Sequence, residues 1–154
     1  MASQLRLTAE LVPKTCWYQN MRSEFPRSVW DRIRKEQYAS QGHQCGVCKT
    51  AGRLSCHEIW EFDDDNRIQK LKGFIALCDL CHAVKHLGRT AVLEGIVERK
   101  AVEEHFMRVN ECDLQTFVKH GEDAMTQWVE RSKHEWSIDL GVYQSLVRKR
   151  DIAS

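Results

Sequence analysis

Residues 45–88 read CGVCKTAGRLSCHEIWEFDDDNRIQKLKGFIALCDLCHAVKHLG, and this stretch decides how the rest of the chain is understood. It holds two CxxC pairs, Cys45/Cys48 and Cys78/Cys81, separated by residues 49–77. A CxxC turn brings two thiolates to two corners of a tetrahedron, and a second such turn supplies the other two. One pair alone would leave a redox dithiol or plain core cysteines open; two pairs at this spacing point to zinc. Four cysteine ligands leave the ion no open position, so its expected role is folding and not catalysis.

Working outward from the cysteines, residues 53–60 read as a strand, with Leu54, Cys56, Glu58 and Trp60 alternating against Ser55, His57 and Ile59. A polar loop is expected over 61–67, and a second strand over 68–77 ends in Phe74-Ile75-Ala76-Leu77. Cys78 then opens a short helix over 79–87, where a helix N-terminus favours thiolate charge. Gly88 suits its stop. Two strands and a helix in that order make a ββα unit. His82 and His86 are spaced i, i+4, so both imidazoles leave one face of that helix, and His57 lies on the strand packed across it.

The order CGVCK…LSCHEIW…GFIALCDLCHAVKHLG resembles the HNH endonucleases of the ββα-metal (His-Me finger) superfamily, in a subtype with a four-cysteine zinc. The resemblance covers residues 45–88. It implies an α+β fold: a zinc-stabilised ββα-metal core flanked by an N-terminal helix and C-terminal helices. It also implies a metal-dependent enzyme that hydrolyses phosphodiester bonds in DNA. By resemblance His57 is the general base, His82 a ligand of the catalytic ion, and His86 the second helix histidine that shares the ion in the colicin-type branch. The implied cofactors are a structural zinc and a catalytic divalent metal (Mg, Mn or another transition ion). That chemistry suits the residue types, because imidazole titrates near neutral pH and a cation stabilises charge on the phosphate and the departing oxygen.

Two positions depart from the family. Cys56 stands where many members carry an Asp ligand, which makes it a candidate ligand of the catalytic ion with His82 and His86; a thiolate suits a soft or borderline ion but is a poor magnesium ligand. The family's Asn falls near Gly73, so Asn66 in the loop is the substitute to test. Glu58, Glu61 and Asp63 offer carboxylates that could complete an ion site. Lys70, Lys72, Lys85 and Arg89 are the expected phosphate contacts near the site, with Arg32, Arg34 and Lys35 on the first helix as further cations.

Composition narrows the rest. The formal charge is +1, from 23 basic and 22 acidic residues, which excludes a wholesale basic coat and requires any DNA contact to be a local patch. No run of about 18 apolar residues suggests a membrane span. The N-terminus lacks an apolar secretory core, so a cytoplasmic location is expected. Seven cysteines without an export signal fit a reducing compartment. The expected organisation is an arm (1–26) anchored by Trp17, Tyr18 and Phe25, the core (27–89), and a helical extension (90–154) packed on it. In the core, Ser28 and Asp31 can cap a helix over 29–40. In the extension, one or two helices are expected over 90–109. Asp113 can cap another through about residue 131, with Phe117, Met125, Trp128 and Val129 facing inward; the tail over 136–146 is ambiguous. DNA is the expected partner, and a homodimer or a protein partner stays open, since one small site makes one cut. Two competing readings are a non-catalytic zinc module that binds nucleic acid or protein, and a redox-switched regulator.

Overall fold

A computed structural model describes residues 4–14, 21–87 and 98–147. Cys16, Trp17, Tyr18, Arg89, residues 90–97 and the basic cluster 148–150 therefore lie outside the described residues. In chain order the elements are α1 (Arg27–Ser40), β1 (Ser55–Asp63), β2 (Ile68–Leu77), α2 (Asp79–Lys85), α3 (Arg99–Asn110), α4 (Leu114–Arg131) and β3 (Ser137–Asp139), with single 3-10 turns at Met21–Ser23 and Gly141–Leu146. The described part is thus an α+β arrangement around a small three-stranded sheet.

α1 starts on Pro26, whose carbonyl accepts the Trp30 N–H at 3.0 Å. Proline's fixed φ suits a helix entry, and no side chain caps this end. The expected Ser28–Asp31 cap is not used; Asp31 instead accepts from Arg34 at 3.0 Å. Gly42, at φ +65, takes the left-handed turn that ends the helix region.

β1 and β2 form an antiparallel hairpin from Ser55↔Leu77 to Asp63↔Ile68. β1 runs past the expected boundary at residue 60, because Asp63 builds a tighter turn than a polar loop requires. Its carboxylate accepts the backbone N–H groups of Asp65 and Asn66 at 3.1 and 3.0 Å. Ile59 pairs with Gly73 but Trp60 pairs with Leu71, so Lys72 is the extra residue of a bulge. Gly73 follows it at φ +155, a conformation that disfavours any side chain. β3 adds to β2 in parallel, from Ile68↔Ser137 to Lys70↔Asp139. The tail that the sequence left ambiguous thus adds a strand to the expected helical extension.

Alternation sends the two faces of the hairpin to two cores. Cys56, Trp60, Leu71 and Phe74 pack with Met21, Phe25 and Trp30, so α1 covers this face. Ile75 and Leu77 pack on the other side with Val84, Val102, Phe106 and Phe117, against α2, α3 and α4. His57 belongs to this second face, under α2. Phe25 is fully buried, as its anchoring role requires.

Asp113 caps α4 as expected, accepting the Thr116 N–H at 2.9 Å. Phe117 turns inward, but Met125 and Val129 are 45% and 48% exposed, so their inward assignment does not hold. Helical periodicity marks an apolar stripe without saying whether a neighbour covers it. The arm 4–14 lies across α3 and α4. Asn110 Oδ1 accepts from the N–H groups of Arg6 and Leu7, His120 Nε2 accepts from Ala9 N at 2.9 Å, and Trp128 Nε1 donates to Val12 O at 2.9 Å.

Candidate metal sites

The first site grows from two short turns. After α1, Cys45 N donates to Thr50 O at 2.9 Å and Lys49 N to Cys45 O at 3.0 Å, folding QCGVCK into a knuckle with Lys49 at φ +67. This knuckle docks edge-on against β2. Gly46 N donates to Ala76 O at 2.9 Å, while the Gln41 amide accepts from Ala76 N at 2.9 Å and donates to Ala76 O at 3.0 Å. A Cβ on Gly46 would lie 2.6 Å from Ile75 Cγ1, so only glycine permits this approach. The second CxxC opens α2, where Cys78 is the N-cap and its Sγ accepts from Cys81 N.

All four sulfurs lie within 4.8 Å of one another, and Cys48 Sγ is 3.6 Å from Cys78 Sγ. Thiolates at about 2.3 Å from a tetrahedral zinc sit roughly 3.8 Å apart, so the cluster could hold a metal such as zinc. The electrostatics agree. Four thiols this close cannot all ionise alone: contact with Cys81 holds Cys45 low, to about 3, while the same contact and burial push Cys81 up. Burial likewise raises Cys78, to about 11. A cation in the middle removes that conflict. Among the described cysteines none forms a disulfide.

Behind Cys81 stands a residue the sequence analysis did not single out. His105 of α3 brings Nε2 to 3.1 Å from Cys81 Sγ, and its other ring nitrogen is buried without a hydrogen bond. Burial lowers its pKa, so the ring is neutral and can donate Nε2–H to the sulfur. No sequence signal marks it, because residue 105 meets residue 81 only through the packing of α2 on α3.

The second site is the group His57, His82 and His86, whose donor atoms also lie within 4.8 Å of one another. His82 Nε2 and His86 Nε2 are 3.1 Å apart, and the His57 ring centroid is 5.4 and 5.0 Å from theirs. The helical i, i+4 spacing and the strand across it thus bring together the three imidazoles the sequence proposed. Burial, helped by His57, pushes the His82 pKa down to about 4, leaving a neutral ring able to bind a metal. His57 is 4% exposed, and neither of its ring nitrogens has a hydrogen-bond partner among the described residues. Its nearest carboxylates, Glu10 Oε2 at 3.7 Å from Nε2 and Glu58 Oε2 at 4.0 Å from Nδ1, are too distant for hydrogen bonds. Enclosed beside two other imidazoles, this ring is one of three that could hold a metal ion.

Other expectations need correction. Cys56 is not in the group. It alternates with His57, packs in the α1-side core, and burial raises its pKa to about 12. Glu58 also turns to that side, where Oε1 accepts from Met21 N at 2.8 Å. Asn66 is tied to Asp63 at 2.9 Å in the hairpin turn. That turn lies roughly 20 Å along β1 from His57 at about 3.3 Å per residue, so Asn66 cannot replace the family's Asn. Asp63 is spent on the same turn, and Glu61 pairs with Lys72 at 3.8 Å.

Of the expected phosphate contacts, Lys72 is exposed beside Glu61 and Lys70 is half-buried on β2. Lys85 turns inward, 3.3 Å from Thr8 Oγ1 and 4.0 Å from Glu10 Oε2, so it is a poor surface contact. No helix among the described residues is long and apolar enough to cross a membrane. Compared with protein-family models, curated proteins and solved structures, the chain gives no match.

Proposed function

We propose that this chain is a metal-dependent endonuclease of HNH type that hydrolyses phosphodiester bonds in DNA. One observation carries the reading: His57 is buried with both ring nitrogens unpartnered among the described residues, beside two helix imidazoles at ligand spacing. Burying polar nitrogens without partners is costly, and an ion among the three rings removes that cost. In the same reading the four-cysteine cluster holds a structural zinc, which clamps the knuckle after α1 to the start of α2.

His57, His82 and His86 would hold the second ion. Imidazole donors favour a transition ion over magnesium. A bound divalent ion supplies Lewis acidity toward the phosphate and lowers the pKa of a water. The chain's own part is to keep three imidazole rings in place: β1 fixes His57, α2 fixes His82, and the C-cap of α2 fixes His86. Of the four phosphate contacts expected near the site, Lys70 and Lys72 on the central strand β2 are those still available to meet the phosphate backbone.

Incubating the purified protein with supercoiled plasmid and Mn²⁺, Ni²⁺, Zn²⁺ or Mg²⁺ tests the proposal. Nicking with at least one transition ion is expected, with loss of it in His82→Ala. Nicking by no metal, or equal nicking by His82→Ala, overturns it. The second reading, a zinc module that binds nucleic acid or protein without cutting, draws on Cys56 and Asn66, which sit away from the imidazoles. Tight DNA binding with no cleavage under any metal would favour it.

A further inference from the structure

Imidazole binds a metal in its neutral form, so a divalent ion held by His57, His82 and His86 alone would keep its full double charge. Such charge calls for a carboxylate. Glu58 is the poorer candidate: its Oε2 lies 4.0 Å from His57 Nδ1, but its Oε1 already accepts from Met21 N on the α1 side. Glu10 lies on the arm, outside the stretch that carries the family resemblance. Its Oε2 is 3.7 Å from His57 Nε2 and 4.0 Å from Lys85 Nζ, and its side chain is 21% exposed.

The arm is held on both sides of this residue. Glu10 N donates to Lys85 O at 3.0 Å, just beyond His82 and next to His86 in the chain, while Ala9 N donates to His120. The Glu10 backbone is therefore fixed against the last turn of α2, and only its side-chain torsions remain to adjust. Donor atoms around an ion at about 2.1 Å sit roughly 3.0–3.4 Å apart. The 3.7 Å separation from His57 is close to that. Glu10 does not yet share the common 4.8 Å grouping of the three histidines, so a rotamer change must bring it to the ion.

We propose that Glu10 is the fourth protein ligand of the ion held by His57, His82 and His86, making a three-histidine, one-carboxylate site. The proposal rests on the three-imidazole metal reading above. Lys85 then serves as a positioning residue, holding the carboxylate beside the site until the ion is bound.

Cobalt(II) is the probe, added to the full chain with its cysteine site already filled by zinc. The wild type is expected to bind one cobalt, with d–d absorption and no thiolate charge-transfer band. Glu10→Gln should weaken that binding by about 100-fold or more, beyond the 10–100-fold typical of an outer-shell partner, and change the d–d spectrum. Glu10→Asp should keep part of the affinity, and melting of the variants before cobalt is added should match wild type. If Glu10→Gln binds cobalt with wild-type affinity and spectrum while His82→Ala does not bind it, Glu10 is not a ligand and the three-histidine site stands. If the wild type itself binds no cobalt, the underlying site falls and the Glu10 proposal falls with it.

Discussion

His105 illustrates how a single side chain can act on a metal site it does not enter. Its Nε2 lies 3.1 Å from Cys81 Sγ, and in the tautomer that carries the proton on Nε2 it draws charge from a thiolate and steadies it against protonation. Replacing it by Phe keeps bulk and removes the donor. His105→Phe is expected to speed zinc transfer to a chelator by about 10–100-fold, with His105→Gln restoring part of the difference. A purely packing role would give the same release rate for Phe and wild type, or no rescue by Gln. His57 teaches a related lesson. Its place beside His82 and His86 was legible, yet how deeply the strand is covered was not. Sequence spacing cannot distinguish an exposed base from an enclosed ligand.

Among the elements, the hairpin is tied to α4 by an ion pair that neither segment announces. Arg131 donates to both Asp64 oxygens, at 2.8 and 3.0 Å, and its guanidinium lies 4.3 Å from the centroid of the Phe62 ring. The pair holds the Asp64 carboxyl below its ordinary value of 3.8. A folded-state pKa that is depressed adds stability above the unfolded value, and that stability is lost as pH falls through the folded value. Because Asp64 is more than half exposed, the contribution at neutral pH is under about 1 kcal/mol. Asp64→Asn should therefore lower the denaturant midpoint slightly at pH 7, and the gap should close as the medium is taken below pH 3.8. A gap that persists or widens in acid would mean that the ion pair is not its source. The ends of these elements were partly legible. Asp113 worked as read, whereas Ser28 lost its capping role to Pro26 and Asp63 lengthened β1 beyond its expected end.

For the whole molecule, the proposed zinc ties the knuckle after α1 to the start of α2 inside a shared core. Cys45 and Cys81 sit in the same core as Leu77, Phe106 and Phe117, so the cluster is part of the interior between hairpin and helices. Structural zinc contributes about 10–16 kcal/mol in small peptides, similar to the whole stability of a domain at about 5–15 kcal/mol. Removing the metal by chelation should abolish cooperative melting, and re-added zinc, but not magnesium, should restore it. Metal analysis should find about one tightly held zinc per chain under the same reading, lost in Cys78→Ser. A chelated protein that melts as before would show that the four thiols support the fold without an ion.

What the sequence determined by itself was whatever is encoded over a few residues: the two CxxC turns, the i, i+4 histidines, the alternation of the strands, and the Asp113 cap. Each follows from local backbone geometry, which a short stretch specifies without its neighbours. Tertiary structure decided the rest. It turned Cys56 away from the imidazoles and sent Asn66 to the far end of the hairpin. It laid residues 137–139 beside β2, and brought Glu10 and His105 up to two sites they are far from in sequence. Those outcomes depend on which faces are covered and which distant segments pack together, and that free energy arises only when the whole chain closes on its two cores.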